Sequence, residues 1–138
     1  MEFHISEQAG TDESKAIQDQ LKIYNHENIA PDRHKDLVIS FKNNEGKVIA
    51  GLVGSTNWGW LFIRLLWVDD SLRGQGIGKQ MIMKSLEIAK SRDCHSAWID
   101  TFNPIALQSY QKMGFVVFGQ LENFPSGKNR YFLKKRIS

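Results

Sequence analysis

The apolar positions of this chain change period several times, and each change marks an element. From Asp12 to Asn28, Ile17, Leu21 and Tyr24 recur at spacings of four and three, which predicts an amphipathic helix. Ahead of it, Phe3 to Ser6 reads as a short first strand. Pro31 and Asp32 end the helical pattern. Asp36 to Lys42 (DLVISFK) is apolar and β-branched, and Lys47 to Thr56 (KVIAGLVGST) repeats that character. Asn43-Asn44-Glu45-Gly46 joins them as a hairpin turn, because Asn and Gly tolerate positive φ. Trp58 to Val68 (WGWLFIRLLWV) is the most hydrophobic stretch and predicts a strand buried on both faces. Its Trp58, Trp60 and Phe62 alternate, so they are expected on one face, as core packing or as the lining of a cleft.

After a polar break at Asp69 to Arg73, the period returns to helical. Ile77, Met81, Ile82, Leu86 and Ala89 share a face between Gly76 and Arg92, with Lys79, Lys84, Glu87 and Lys90 largely off it. His95 to Phe102 predicts another strand. Pro104 suits the first turn of a helix, where its missing N–H costs nothing. That helix carries Ala106, Leu107, Tyr110 and Met113 and stops at Gly114. Phe115 to Leu121 and Arg130 to Ile137 predict two closing strands around a turn at Pro125 to Gly127. The expected order is β-α-β-β-β-α-β-α-β-β: a mixed α/β (α+β) fold on one central sheet. No repeat or linker divides it, so residues 1–138 are expected to form one domain.

Composition narrows the function classes. Hydrophobic residues make up 41% and charged residues 24%, the balance of a globular protein rather than a disordered one. No apolar run approaches the roughly 20 residues that span a bilayer. The first ten residues lack a basic-then-apolar leader, which with the single Cys94 points to the cytoplasm. One cysteine provides neither a disulfide framework nor a metal cluster, and no metal is expected. The net charge of +3 is mild. Lysines and arginines are scattered apart from Lys134-Lys135-Arg136, so the dense basic stripe of a nucleic-acid binder is missing.

The candidate chemistry lies between the most hydrophobic strand and the helix after it. There Arg73-Gly74-Gln75-Gly76-Ile77-Gly78-Lys79 places three alternating glycines at a helix start. Such a loop lets backbone N–H groups converge, and the helix N-terminus adds positive partial charge, which suits a phosphate or pyrophosphate. Arg73 and Lys79 add charge-assisted donors. The dinucleotide fingerprint G-x-G-x-x-G is not met, because the loop reads G-x-G-x-G. The P-loop pattern also fails: Gln80 follows Gly78-Lys79, and Arg73 stands where its first glycine belongs.

The same loop fits [QR]-x-x-G-x-[GA], and with it the chain resembles the GNAT superfamily of acetyl-CoA-dependent N-acetyltransferases. Leu65-Leu66-Trp67-Val68-Asp69 looks like the splayed strand that leads into that family's loop. Asn103, Ala106, Tyr110 and Gly114-Phe115 resemble its second motif, N-x-x-A-x-x-x-Y-x-x-x-G-F, about 30 residues downstream. The resemblance is strongest from Trp58 to Phe118. It implies a mostly antiparallel mixed sheet flanked by helices, with acetyl-CoA as cosubstrate. The pyrophosphate would then sit on the N–H groups from Gln75 to Lys79, namely Gln75, Gly76, Ile77, Gly78 and Lys79, with Gly74 in the same cofactor-binding loop and Arg73 framing it. Leu66, Trp67 and Val68 would pair with the pantetheine arm through their backbone, and Asn103 would contact that arm, a role compatible with capping the helix at Pro104.

The resemblance further implies direct attack of an amine on the thioester, with Tyr110 as general acid. No base is singled out: Asp69, Asp70, Asp100, Glu122, His26, His34 and a water chain all remain open. Cys94 reads better as a small buried hydrophobe than as a nucleophile, although an acyl-cysteine route exists in principle. The basic loop from Phe124 to Arg130 is either a plain connection or a cover for substrate. The acceptor is expected to be a small-molecule or peptide amine, and the resemblance also points towards a homodimer. A rival class keeps the fold but binds or senses acyl-CoA without turnover.

Overall fold

A computed structural model describes residues 1–137, which divide into two units: residues 1–32, and the remainder from Arg33 onward. The first unit holds one helix, α1 (Asp12–Asn28), with the bounds its apolar spacing predicts. Thr11 caps it by accepting the Ser14 N–H, and no residue of α1 is buried. At its far end, His26 Nδ1 accepts the Asp32 N–H at 2.8 Å and Lys22 pairs with Asp32 at 3.3 Å. The expected strand at Phe3–Ser6 does not form; residues 1–8 have no regular structure. Its alternation is that of a strand, but residues 1–32 hold no second strand to supply the hydrogen bonds that alternation needs.

The second unit runs β1 (Lys35–Lys42), β2 (Val48–Asn57), β3 (Trp60–Val68), α2 (Ile77–Ser91), β4 (Ser96–Thr101), α3 (Pro104–Lys112), β5 (Val116–Leu121) and β6 (Arg130–Arg136). The strands form one mixed sheet in the order β1-β2-β3-β4-β6-β5. Only β3 and β4 are parallel, joined by the crossover through α2; every other pair is antiparallel. Asn43 organises the β1–β2 turn. Its side chain accepts the N–H groups of Glu45 and Lys47, while Gly46 alone takes positive φ, at 80°.

One sheet face packs on the helices. Met81, Ile82, Ser85, Leu86 and Ala89 of α2 are buried, and they join Leu37, Ala50, Leu52, Leu61, Ile63, Ala97, Ile99, Leu133, Cys94, Tyr110 and Phe115 in the core. Arg92, just past α2, ties that helix to the sheet edge. It donates to the Lys35 and Asp36 carbonyls and to Thr56 Oγ1, each at 3.1–3.2 Å.

The hydrophobic strand differs from expectation in two ways. Trp58 and Gly59 lie in the turn before it, with Trp58 at φ 51°, so of the three expected aromatic residues Trp60 and Phe62 alone share a face of the strand. Nor is β3 buried on both faces. Leu61 and Ile63 point into the core, Arg64 is an extra residue in a β-bulge opposite Val53 and Gly54, and beyond it Leu66 and Val68 turn to the core side. Leu65 and Trp67 are exposed. A bulge inserts one residue and so reverses the parity of the strand.

Candidate functional site

The parting of β3 from β4 defines the site. Their parallel pairing covers only Trp60↔Ser96 to Ile63↔Ile99. From Leu65 to Val68, β3 stays paired with β2 but has no partner strand on its other side among the described residues, while Asp100 and Thr101 of β4 continue beside β6. The Asp69 N–H bonds the Ile49 carbonyl. With a period of two, Trp67 therefore also faces β2, whereas the N–H and C=O groups of Leu66 and Val68 face the open gap. The Val68 carbonyl receives Arg73 Nε at 3.3 Å.

The loop that follows is built from Asp69 to Gly76. Asp69 caps a short 3-10 turn, Asp70–Leu72, accepting the Ser71 hydroxyl at 2.6 Å and the Ser71 N–H at 3.1 Å. Those two bonds hold its carboxyl below the usual carboxylate range, so Asp69 stays ionised at neutral pH. Asp70 pairs with Arg73 at 2.7 Å, and Gln75 Nε2 donates to the Ser71 carbonyl. Gly74 and Gly76 take φ of 80° and 77°, a region that only glycine enters cheaply, and a Cβ on either would meet open space.

The helix start above this loop is bare. The first backbone bond of α2 runs from Gln80 N–H to the Gly76 carbonyl, which leaves the N–H groups of Ile77, Gly78 and Lys79 ahead of it. No side chain caps them, whereas Thr11 caps α1 and Asn103 Oδ1 caps α3 through the Ile105 N–H at 2.9 Å. Ile77 turns its side chain to the core and Lys79 is exposed. Exposed glycines, positive-φ turns and an uncapped helix N-terminus together suit an anion of pyrophosphate size.

On the other side of the gap, Asn103 is the helix cap that its place before Pro104 predicts. Tyr110 lies in the core cluster beside Phe115, with ring centroids 6.3 Å apart. Burial, with the nearby Asp100 carboxylate adding to it, pushes its hydroxyl up to about 12. That oxygen makes no hydrogen bond among the described residues, yet no buried side-chain oxygen there is left sealed and unpartnered. The phenol is thus protonated and retains an opening.

The remaining candidates separate clearly. Asp100 is held by Arg130, whose Nε and Nη2 both donate to Oδ1, at 2.9 and 2.6 Å. The Arg130 guanidinium lies over Phe124 at 4.7 Å and Phe102 at 5.9 Å. His34 bonds Asp36 at 2.9 Å, and Glu122 is exposed on the loop before β6. Burial raises the Cys94 thiol, which disfavours the thiolate a nucleophile needs. Residue spacing gave no sign of the Asp100–Arg130 pair, because its partners are 30 positions apart.

The model of the acetyltransferase (GNAT) family matches residues 4–115. This chain belongs to the GNAT acetyltransferase family. The acetyltransferase Atu2258 of Agrobacterium fabrum is 40% identical over 137 residues, covering 99% of this chain and 100% of that one. A crystal structure of an acetyltransferase from Agrobacterium tumefaciens superposes with a TM-score of 0.93 at 40% identity, covering 99% of each chain. The blasticidin-S acetyltransferase of Streptomyces morookaense is 31% identical over 67% of this chain and 68% of its own. The expected fold class therefore holds for this acetyltransferase, splayed strand included. No helix among the described residues is long and apolar enough to cross a membrane.

Proposed function

We propose that this acetyltransferase moves the acetyl group of acetyl-CoA directly to the amine of a small molecule or peptide. The observation that carries the reading is the pairing of a strand edge open at Leu66 and Val68 with an uncapped, glycine-lined helix start at Gly76. A long ligand with a diphosphate at one end and amide groups along its arm fits both at once. Gly74, Gln75, Gly76, Ile77, Gly78 and Lys79 offer N–H donors to the diphosphate. Arg73 is drawn over Val68 and Asp70, which braces the loop rather than reaching outward. Leu66 and Val68 offer N–H and C=O groups to the arm as a strand would. Trp67 faces its backbone to β2, so its share is the exposed indole alongside. The side-chain amide nitrogen of Asn103 remains for the same arm, since capping uses only its oxygen.

Bound there, acetyl-CoA supplies an acyl group activated as a thioester. The Val68 N–H, fixed by the strand, is a donor for the charge that develops on the acyl oxygen. Tyr110 holds a proton at its hydroxyl throughout the physiological range, as a general acid for the departing thiolate must. Asp69 and Asp70 are occupied by Ser71 and Arg73, which removes them as favoured bases. Cys94 is buried and its thiol is raised, which favours direct transfer over an acyl-cysteine route.

Thermal unfolding with acetyl-CoA, NAD and ATP added separately tests the reading, because a ligand that binds only the native state raises the midpoint. A rise with acetyl-CoA, followed by thiol release on adding amines, supports transfer. The first screen includes blasticidin S, named for the relative that is 31% identical. A rise without thiol release from any amine would instead favour a module that binds acyl-CoA without turnover. No rise at all would defeat the assignment of the loop. The same reading places the protein in the cytoplasm, where acetyl-CoA is made and used, and sedimentation tests the homodimer that the family resemblance suggests.

A further inference from the structure

The sheet face turned away from α2 is unusually aromatic. Phe62 and Trp98 stack with centroids 4.0 Å apart and planes 11° from parallel. Beside them lies a groove of about 520 Å³ lined by Trp60, Trp98, Phe118, Phe132 and Lys134. Its volume falls within the range typical of small-molecule sites, roughly 300–1,000 Å³. Phe132 pairs in register with Asp100, so their side chains share this face on adjacent strands. Asp100 is also the first residue of β4 beyond its last pair with β3. The groove therefore leads along β4 and β6 to a carboxylate at the mouth of the gap.

That carboxylate is only half used. Both bonds from Arg130 fall on Oδ1, and Oδ2 accepts none among the described residues. The side chain is 13% exposed, and no sealed, unpartnered oxygen exists there, so Oδ2 faces an opening. An alkylamine arrives as an ammonium at neutral pH, like the lysine side chain with its pKa of about 10.4, and needs an anionic acceptor to dock. Asp69 and Asp70 are bonded to Ser71 and Arg73, whereas Asp100 stands just past the last β3–β4 pair, on the strand that leads into the helix carrying Tyr110.

We propose that Asp100 Oδ2 and the groove of Trp60, Trp98 and Phe132 form the acceptor site, and that the acceptor is an amine carried on a flat aromatic or heteroaromatic body. The body lies on the aromatic floor, and the ammonium reaches past Phe132 to Asp100 at the β4 margin of the gap; it gives a proton to solvent there before its neutral nitrogen bonds the acyl carbon, and the thiolate released as the C–S bond breaks takes the Tyr110 proton, which solvent restores. Arg130 holds the carboxylate in place while itself held between Phe102 and Phe124. This inference rests on the transfer reading above and adds the class of acceptor.

The test compares tryptamine with butylamine, two primary amines that are both protonated at neutral pH and differ in the body they carry. Thiol release from acetyl-CoA is followed for wild type, Phe132→Ala, Trp98→Leu and Asp100→Asn. Tryptamine is expected to exceed butylamine in kcat/KM by at least about tenfold, the scale on which a shaped apolar pocket discriminates. Phe132→Ala or Trp98→Leu should erase that preference, and Asp100→Asn should raise KM for both amines, all with KM for acetyl-CoA unchanged. Equal kcat/KM for the two amines in wild type overturns the proposal without any variant having to fold. An unchanged amine KM in Asp100→Asn overturns the role of the carboxylate. If acetyl-CoA raises the unfolding midpoint but neither amine is turned over, this acceptor site is wrong while the cofactor site stands. If acetyl-CoA produces no rise, the reading beneath it has failed.

Discussion

Gly54 lies so close to Phe62 that a β-carbon on it would stand 2.3 Å from the Phe62 carbonyl oxygen. The contact occurs where the β2–β3 register shifts around Arg64. It is a backbone contact, so no side-chain rotation relieves it. Gly54→Ala should therefore lower stability by about 1–3 kcal/mol, the usual cost of overpacking. A urea midpoint equal to wild type would show that β3 can shift at the bulge without loss.

Tyr110 gives a pH prediction. Its hydroxyl is raised from 10.0 to about 12 by burial first and Asp100 second. The folded state thus favours the protonated phenol more than the unfolded state does. The stabilisation is fully present below pH 10 and is lost as pH rises towards 12, an effect of about 2–3 kcal/mol. Unfolding midpoints measured from pH 9 to 12 should fall in wild type and fall less in Tyr110→Phe.

The same substitution tests catalysis. General acids commonly contribute about 10²–10⁴ in rate, so Tyr110→Phe should lower kcat on that scale with KM for acetyl-CoA unchanged. Full activity would remove Tyr110 as the proton donor.

At the glycine loop, Gly76→Asp adds two burdens. The backbone there has φ 77°, which costs a side-chain-bearing residue roughly 1 kcal/mol, and the new carboxylate would sit at the bare helix start. Calorimetric titration should show acetyl-CoA affinity falling by more than about tenfold, well beyond that small stability loss. Equal affinity would sink the diphosphate assignment.

Arg92 separates stability from binding. Its guanidinium reaches Lys35, Asp36 and Thr56 from the end of α2 opposite the glycine loop. Arg92→Ala should cost about 2 kcal/mol of stability, the scale of hydrogen bonds from a charged donor. Arg92→Lys should restore only part of this, because an ammonium lacks the planar fork. Acetyl-CoA affinity measured below the unfolding range should stay at the wild-type value in both.

How much of this was legible in the sequence depended on whether a feature was local. The bounds of α1, the start of α3 at Pro104 and the turn at Gly46 follow from spacing and turn chemistry within a few residues. The glycine loop was legible for the same reason. Its bare N–H groups follow from the lack of any capping side chain at Gly76. The reading of β3 as buried on both faces failed because the bulge at Arg64 moves the inward positions from 61 and 63 to 66 and 68. The strand then looks continuously apolar although each half alternates. The Phe3–Ser6 strand failed because alternation signals a strand only where a neighbour exists to bond it. The Asp100–Arg130 pair and the aromatic floor join β4 to β6, so only the sheet brings them together.

Four register pairs, Trp60↔Ser96 to Ile63↔Ile99, and the neighbouring bond from the His95 N–H to the Gly59 carbonyl stitch β3 of the β1–β3 meander to β4 of the β4–β6 leaf. Beyond that seam the two leaves part like an open book, and the amides of Leu66 and Val68 lie on its inner margin. Their protons should exchange with solvent much faster than that of Trp67, which faces β2. A strand-like ligand laid in the fold would serve as the missing stitch, slowing exchange at Leu66 and Val68 together and leaving Trp67 as it was. In this protein the sheet would then be completed by its cosubstrate rather than by its own chain.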